Sequence, residues 1–379
     1  MILTCTAAAA RALAPQTGAA VPELSSLDRD IPALMEAGHV PGGAVAIVKD
    51  GRLIFAHGYG LADTARGEAF QPDSLCRTGS VSKTVTAVTI LRLVESGKLR
   101  LDDRAFSGIL VQLPPPGTSA DPRLKEISIR QLPHHTGGHG RDTGVDPLNI
   151  GLAKSTAEVF HTAMPPGYEA MVRYALGLPL DFDPGTKYSY SNYGFTALAR
   201  VVERVTGQKY EDAVRRQVLA PMGIRRMAVG QTLLEDRLPG EVRYYDVPCA
   251  PLVLSLVANV RHLVPPYANF ELEAGDGSGR WIGSAVDLAR FVARVELSSY
   301  CSSGPARSSR KIRRGAGGMR WGRSPSQMAP QRDGPMVASI RELRPAITRS
   351  ATAICLRSFS TRLRTTTPSR VPCTTSWPR

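Results

Sequence analysis

The segment from Gly79 to Leu99, GSVSKTVTAVTILRLVESGKL, constrains the fold more than any other part of the sequence. Apolar or small residues occupy most positions from Val81 to Val94 on every side, and Gly97 follows as a stop signal. This pattern predicts a helix that is buried almost all round. We therefore expect it to lie at the centre of a globular domain.

Lys83 lies at the start of this helix, three residues after Ser80. A buried ammonium group is so costly that it either finds a partner or loses its proton. Residues three apart share a helix face, so the Ser80 hydroxyl and the Lys83 amine can meet, which is one geometry for activating a serine. The spacing alone is not specific, because Ser308 and Lys311 repeat it. The simpler interpretation is a lysine that extends to solvent at a helix start.

Two further segments indicate the fold class. Gly42 to Asp63 contains two alternating apolar runs around Asp50-Gly51, which predicts a β-hairpin. Trp281 to Glu296 has apolar residues at helical spacing after Ser284, a capping serine with Asp287 three positions later. The sequence therefore predicts an α+β fold, an antiparallel sheet flanked by helices.

The segment between these two, from 101 to about 270, has Pro- and Gly-rich loops with helical stretches such as Ser191 to Thr206 and Tyr210 to Leu219. It predicts a mainly helical subdomain inserted into the sheet domain. The main domain as a whole is expected to span residues 25–300.

Asp183 to Phe195, DPGTKYSYSNYGF, is the second stretch with candidate chemistry. An Asp-Pro-Gly-Thr turn precedes Tyr190 and Asn192, which lie on a loop at a helix start and can present a phenol and a carboxamide to one pocket. A Tyr-x-Asn spacing is more often a plain turn, and Tyr267 with Asn269 matches it equally well.

Charge separates the last 79 residues from the rest of the chain. Residues 1–300 carry 31 basic and 31 acidic side chains, whereas 301–379 carry 16 and 2, so the net charge of +14 lies in the tail. The tail is rich in Arg, Ser, Thr and Pro and has no sustained apolar period. It predicts either a disordered basic segment or the product of a frame shift near codon 300. Its few aromatic residues and lack of a recognised module argue against specific nucleic-acid binding.

Composition and cysteine spacing argue against a membrane-spanning, a disulfide-rich or a zinc-binding protein. No run of 18 apolar residues occurs, so the sequence contains no candidate membrane-spanning helix. Residues 1–24 lack a basic region and a proper apolar core and predict a disordered lead-in rather than a secretory signal. The sequence as encoded therefore predicts a cytoplasmic location, and a true start upstream would leave export to the periplasm or the medium open. Six scattered cysteines form neither a disulfide framework nor a zinc site, and nothing implies a metal or organic cofactor.

Several segments in a fixed order carry a family resemblance. They are VPGGAVAIVKDG, HGYGLAD, GSVSKTVTAVTILRLVESGKLRLDD, ISIRQLPHHTGG, PGTKYSYSNYGFTALARVVERVTGQKYEDAV and GRWIGSAVDLARF. Together they resemble the serine beta-lactamase and penicillin-binding-protein superfamily, in its class C beta-lactamase-like branch with D-alanyl-D-alanine carboxypeptidases and esterases. The resemblance covers about residues 25–297. It implies an active site in the cleft between the sheet domain and the helical subdomain.

The resemblance also implies roles for particular residues. Ser80 would form an acyl-enzyme on an amide or ester, and Lys83 and Tyr190 would share the proton transfers, with the first acceptor left open. Asn192 would hydrogen-bond either Lys83 or the substrate. The segment from His135 to Gly138 would be structural.

A third motif of this superfamily, Lys-Thr-Gly or His-x-Gly on a late strand, is not found. Its strand edge would supply the second oxyanion donor, beside the Ser80 N–H at the helix start. The tail offers only Arg313-Arg314-Gly315 and Arg320-Trp321-Gly322 as basic-x-Gly candidates. The sequence therefore does not predict the late strands of the sheet.

The leading hypothesis is a serine hydrolase acting on a small-molecule or peptide substrate, such as a beta-lactam, a D-Ala-D-Ala peptide or an ester. The alternative is a catalytically inactive relative that binds peptides or acts as a scaffold, which the missing third motif favours. The sequence does not indicate an oligomeric state.

Overall fold

The computed structural model describes residues 15–143, 145, 150–246, 252–255, 261–263, 265–267, 275–297, 336–339 and 350–356. The α-helices within these ranges are α1 (Leu27–Ala37), α2 (Ser82–Glu95), α3 (Ile150–Phe160), α4 (Tyr168–Ala175), α5 (Asn192–Thr206), α6 (Tyr210–Val214) and α7 (Ala285–Leu297). The strands are β1 (Gln16–Thr17), β2 (Gly42–Lys49), β3 (Arg52–Asp63), β4 (Glu68–Ala69), β5 (Cys76–Arg77), β6 (Ala228–Val229), β7 (Val253–Ser255), β8 (Arg261–Leu263), β9 (Trp281–Gly283), β10 (Met336–Ser339) and β11 (Ser350–Leu356).

The main sheet is antiparallel and has the strand order β1-β3-β2-β11-β10, with β4 paired to β3. β2 and β3 form the predicted hairpin. Asp50 and Gly51 connect them with φ values of 50° and 76°, the left-handed conformation that a tight hairpin turn requires.

The two faces of β2 pack against different helices. Ala44, Ala46 and Val48 belong to the main core, which includes side chains of α2 and α7, whereas Val45 belongs to a smaller cluster that contains Met35 of α1. This alternation is what a strand with helices on both faces requires. The predicted fold class, an antiparallel sheet flanked by helices, is confirmed.

Helix α2 is the central helix that the sequence predicted. Nine of its residues are buried: Ser82, Lys83, Val85, Thr86, Ala87, Val88, Thr89, Ile90 and Leu93. It packs against α5, and the 3₁₀ turn Gly79–Val81 precedes it directly and carries Ser80. Helix α7 packs on β2, β3 and β11, whereas α2 contacts α5 and α6.

The described residues between 101 and 246 contain α3 to α6, 3₁₀ and π-helical turns and the short strand β6. Strand β6 pairs with β9, which also pairs with β5 just before Ser80. None of the helices in the described ranges combines the length and apolarity needed to cross a bilayer.

Two segments of the basic tail differ from the predicted disorder. β11 pairs with β2, from Ser350 opposite Lys49 to Leu356 opposite Gly43, and β10 pairs with β11. A sequence without a sustained period of two can form these strands because backbone groups supply the pairing to the otherwise open edge of β2. The rest of 301–379 lies outside the described residues.

The lead-in differs from prediction as well, from Gln16 onward. β1 pairs with Tyr59 and Gly58 of β3, and the Thr17 hydroxyl donates to the Phe70 carbonyl over 2.6 Å. The buried ring of His57 accounts for this order, because its Nε2 lies 2.6 Å from the Ala19 carbonyl oxygen. Residues 1–14 lie outside the described ranges.

Candidate active site

The hydroxyl of Ser80 lies between a phenol and an amine. Its Oγ is 2.6 Å from the Tyr190 hydroxyl, and Lys83 Nζ donates to it over 3.2 Å. Ser80 and Tyr190 are both half-buried and reachable from solvent, whereas Lys83 is only 4% exposed. A nucleophile hydrogen-bonded to a potential base, which is oriented by a third group, is the arrangement expected of covalent catalysis by serine.

Lys83 has acceptors that account for its burial. Besides Ser80, its Nζ donates to Asn192 Oδ1 and to the Ser278 backbone carbonyl, each over 2.7 Å. An ammonium has three donors, so these acceptors can satisfy all three. The lysine does not extend to solvent, which excludes the simpler interpretation of the spacing between Ser80 and Lys83.

The start of α5 places Asn192. Ser191 precedes the helix, and its Oγ accepts a hydrogen bond from the Gly194 N–H over 3.1 Å, as an N-capping serine does. Asn192 is 4% exposed and has its amide oxygen on Lys83. Of the two roles left open for Asn192, the structure contains the hydrogen bond to Lys83.

Tyr190 is held by its backbone and by rings around it. The Arg141 N–H donates to the Tyr190 carbonyl over 2.7 Å. His135 stacks on the phenol, with ring centres 4.7 Å apart, and its Nδ1 accepts from the Ser191 N–H over 3.1 Å. The segment that the sequence predicted to be structural therefore supports the side chain that contacts Ser80.

The environment of Tyr190 changes its acidity. Burial raises the pKa of the phenol, but the positive charge of Lys83, hydrogen bonds from Lys83 and Ser80, and the charge of Arg141 outweigh burial and hold that pKa below its ordinary value. A lower pKa makes the phenolate more accessible near neutral pH. It suits a group that accepts a proton from a serine.

The four predicted site residues thus lie together, and Tyr267, the described residue of the duplicate matches, does not join them. Tyr267 is buried elsewhere, where its hydroxyl accepts from the Tyr244 N–H over 2.6 Å. Asn269, Ser308 and Lys311 lie outside the described residues, as do the two basic-x-Gly candidates of the tail.

Sequence reasoning missed the Ser278 carbonyl and the position of Arg141. Ser278 lies in Gly275-Asp276-Gly277-Ser278-Gly279, whose three glycines signal a tight turn but not its contact with Lys83. A backbone acceptor has no residue-type signature, so no sequence signal could have identified it. Among the described residues, no group of three or more His, Cys, Asp or Glu side chains is placed to hold a metal ion.

Ser80 lies at the start of a buried helix and is hydrogen-bonded to Lys83 of that helix and to Tyr190, which lies two residues before α5. This arrangement is the one found in the class of SxxK acyl-transfer sites. The chain belongs to the Beta-lactamase family: the family model matches residues 27–337. The resemblance seen in the ordered motifs is confirmed.

Two curated relatives and one solved structure illustrate the similarity. Penicillin-binding protein 4 of Amycolatopsis lactamdurans is 30% identical over 270 residues, which are 70% of this chain and 61% of that protein. Esterase EstB of Burkholderia gladioli is 31% identical over 272 residues, 67% of this chain and 65% of that protein. A class C beta-lactamase structure superposes with a TM-score of 0.52 at 22% identity, covering 71% of this chain and 63% of that one, which shows the shared fold.

The matched part of the chain spans slightly less than two thirds of each of these curated relatives. The family membership supports a function of the serine-hydrolase type. The reaction and substrate of this chain are matters for a proposal.

Proposed function

We propose that this chain is a serine hydrolase that forms an acyl-enzyme on Ser80 from an ester or amide and then transfers the acyl group to water. The observation that carries the proposal is the position of Ser80 Oγ, 2.6 Å from the Tyr190 hydroxyl and 3.2 Å from Lys83 Nζ.

The chemistry requires two proton transfers in each half-reaction. Ser80 attacks the carbonyl carbon while its proton passes to Tyr190 or Lys83; the acceptor is left open, because both contact Oγ. The same pair then returns a proton to the departing alcohol or amine. Water repeats the sequence against the acyl-enzyme and releases the acid.

The developing oxyanion needs two donors. The Ser80 N–H supplies one, since it belongs to the first turn of the helical run that starts at Gly79 and continues through α2. The second donor in this proposal is a backbone N–H of β10 (Met336–Ser339), because β10 lies beside the turn that carries Ser80 and has β11 on its other edge. A backbone donor does not require Lys-Thr-Gly.

The substrate class follows from the site and the relatives. One named relative is a penicillin-binding protein and another an esterase. Beta-lactams, D-Ala-D-Ala peptides and simple esters share the same serine chemistry, so a small molecule or a peptide fits the proposal. Activated esters and strained lactams are the first choice for assays because their carbonyl groups are the most reactive.

The test is the intact mass of the purified protein before and after exposure to a fluorophosphonate, which phosphonylates an activated serine with loss of fluoride. We expect one adduct, lost in Ser80→Ala and kept in the matched control Ser308→Ala, which removes the serine of the duplicate motif. An adduct that persists in Ser80→Ala would refute the assignment of the nucleophile. The absence of any adduct on a folded protein would favour the binding-only alternative.

A further inference from the structure

A buried ion pair lies behind the candidate active site, outside the set of groups that contact Ser80. Arg200 of α5 donates from Nη2 to Asp276 Oδ2 over 2.5 Å, and the two side chains are only 8% and 5% exposed. A buried pair of this kind stabilises little compared with apolar residues of the same size, because both charges lose their hydration. Its position therefore calls for another explanation.

Asp276 connects α5 to the turn that holds Lys83. One carboxylate oxygen accepts from Arg200, and the other accepts from the Gly277 N–H over 2.7 Å. The next residue of that turn, Ser278, provides the carbonyl that accepts from Lys83. The carboxylate thus bridges a helix and the backbone one residue before the lysine acceptor.

The same turn is also bound to α2. The Gly277 carbonyl accepts from the Thr86 hydroxyl over 2.6 Å, and Thr86 lies one helical turn after Lys83. Successive carbonyls of the turn, at Gly277 and Ser278, therefore accept from two residues on one face of α2.

The same turn is also packed closely against α5. A Cβ atom on Gly277 would lie 2.3 Å from the Phe195 carbonyl oxygen of α5, so only glycine fits. The turn is fixed between α5 and α2, and the ion pair is the polar contact that fixes it to α5.

We propose that Arg200 and Asp276 are positioning residues for the hydrolase reaction, which act by holding the Ser278 carbonyl where it orients the Lys83 amine toward Ser80. This inference rests on the proposed function. It assigns no direct contact with substrate to either residue.

The decisive variant removes both charges together, Arg200→Met with Asp276→Leu. Arg200→Met alone leaves the buried Asp276 carboxylate without its arginine, and Asp276→Leu alone leaves Arg200 with only Glu203, whose Oε2 is 3.0 Å from the arginine Nε. Both single changes should lower the melting temperature, and more so Arg200→Met, whereas the double change should recover much of that loss. Even if its stability recovers, the double variant lacks the carboxylate that connects Arg200 to the Gly277 N–H. Stability and positioning are thereby separated.

Two rates are measured on each variant. The first is fluorophosphonate labelling as a function of probe concentration: we expect the maximal rate constant of the double variant to fall about tenfold to a hundredfold, with the half-saturating concentration unchanged. The second is acetylation of Lys83 by acetic anhydride, with exposed Lys98 as the internal reference; it should increase because Lys83 loses a fixed acceptor. The control pair Arg130→Met with Asp102→Leu, an exposed ion pair, should change neither.

Wild-type values of both rates in the folded double variant would overturn the inference. If the double variant does not fold, Asp276→Glu is tested instead, because it keeps the charge and displaces the carboxylate by one methylene. A lower maximal labelling rate in Asp276→Glu supports the inference, and a wild-type rate overturns it. If the wild-type protein is not labelled at all, the proposed function fails, and Lys83 acetylation still decides the positioning role.

Discussion

The phenol of Tyr190 lies between two basic side chains. Lys83 Nζ is 4.8 Å and the Arg141 guanidinium carbon 5.1 Å from the centre of its ring. The Nε of Arg141 is bonded to Asp142 over 3.0 Å, and Asp142 is itself 80% exposed. Arg141 thus contributes positive charge to the site without contacting Ser80.

Replacing Arg141 with Gln should move the ascending limb of the pH–rate profile to higher pH. Arg141 is one of the charges that hold the pKa of Tyr190 below its ordinary value, so its removal raises that pKa and delays formation of the phenolate. The measurement is the fluorophosphonate labelling rate against pH. Arg130→Gln, a change at an exposed arginine away from Tyr190, is the control, and an unshifted or acid-shifted profile in Arg141→Gln would contradict the effect.

Among single residues, the structure brings together the four side chains that the sequence predicted as a site, but the sequence did not predict the groups around them. Ser80, Lys83, Tyr190 and Asn192 carry their chemistry in the residue type, and their flanking motifs separate them from chance matches. The Ser278 carbonyl is a backbone group whose position depends on tertiary packing. No residue pattern could have revealed it.

Among the elements, α7 shows how local signals fix a boundary. Ser284 Oγ accepts from the Asp287 N–H over 3.0 Å and donates to the Asp287 carboxylate over 2.8 Å, as the capping pattern predicted. Both residues are buried. The helix that begins here packs on the main sheet.

Ser284→Ala should lower the free energy of unfolding by about 1 kcal/mol, the usual cost of removing an N-cap. The buried Asp287 N–H and carboxylate lose a partner in this variant, which accounts for the loss. Chemical denaturation measures the change, with Ser107→Ala on an exposed turn as control. Equal stability of the two variants would show that the cap contributes nothing.

Elements with a local period were predictable, and elements that depend on distant partners were not. The hairpin of β2 and β3, the buried helix α2, α5 and α7 all follow from alternation, helical spacing or capping residues. β10 and β11 escaped prediction because their residues show no sustained alternation and gain their conformation by pairing at the edge of β2.

For the whole molecule, the uneven charge raises the question of the reading frame. The hypothesis of a frame shift near codon 300 rests on the change from 31 basic and 31 acidic residues in 1–300 to 16 and 2 in 301–379. The genetic code adds a constraint from Met328-Ala329-Pro330-Gln331-Arg332. When these codons are read one nucleotide later, the first becomes TGG, which encodes Trp. The third can then encode His, the fourth Asn or Ser, and the fifth Gly.

The shifted frame therefore permits a His-x-Gly motif directly before β10, where the encoded frame has none. Resequencing the 3′ end of the gene is the test. We expect a single inserted or deleted nucleotide near codon 300. Restoring the frame should increase the rate of ester hydrolysis, since the strand of the restored motif would replace β10 as the source of the second oxyanion donor, and a well-placed donor contributes up to about a hundredfold to a thousandfold in rate. An intact single frame in the gene would reject the hypothesis.

The pairing of β2 with β11 affects how the chain is made. Lys49 is opposite Ser350, so the strand that covers the edge of β2 leaves the ribosome about 300 residues after β2 itself. Until then the nascent chain presents an unpaired, largely apolar strand, a template for wrong association. Contacts this distant in sequence also slow folding. Expression of this protein should therefore depend on how well chaperones protect the β2 edge during translation.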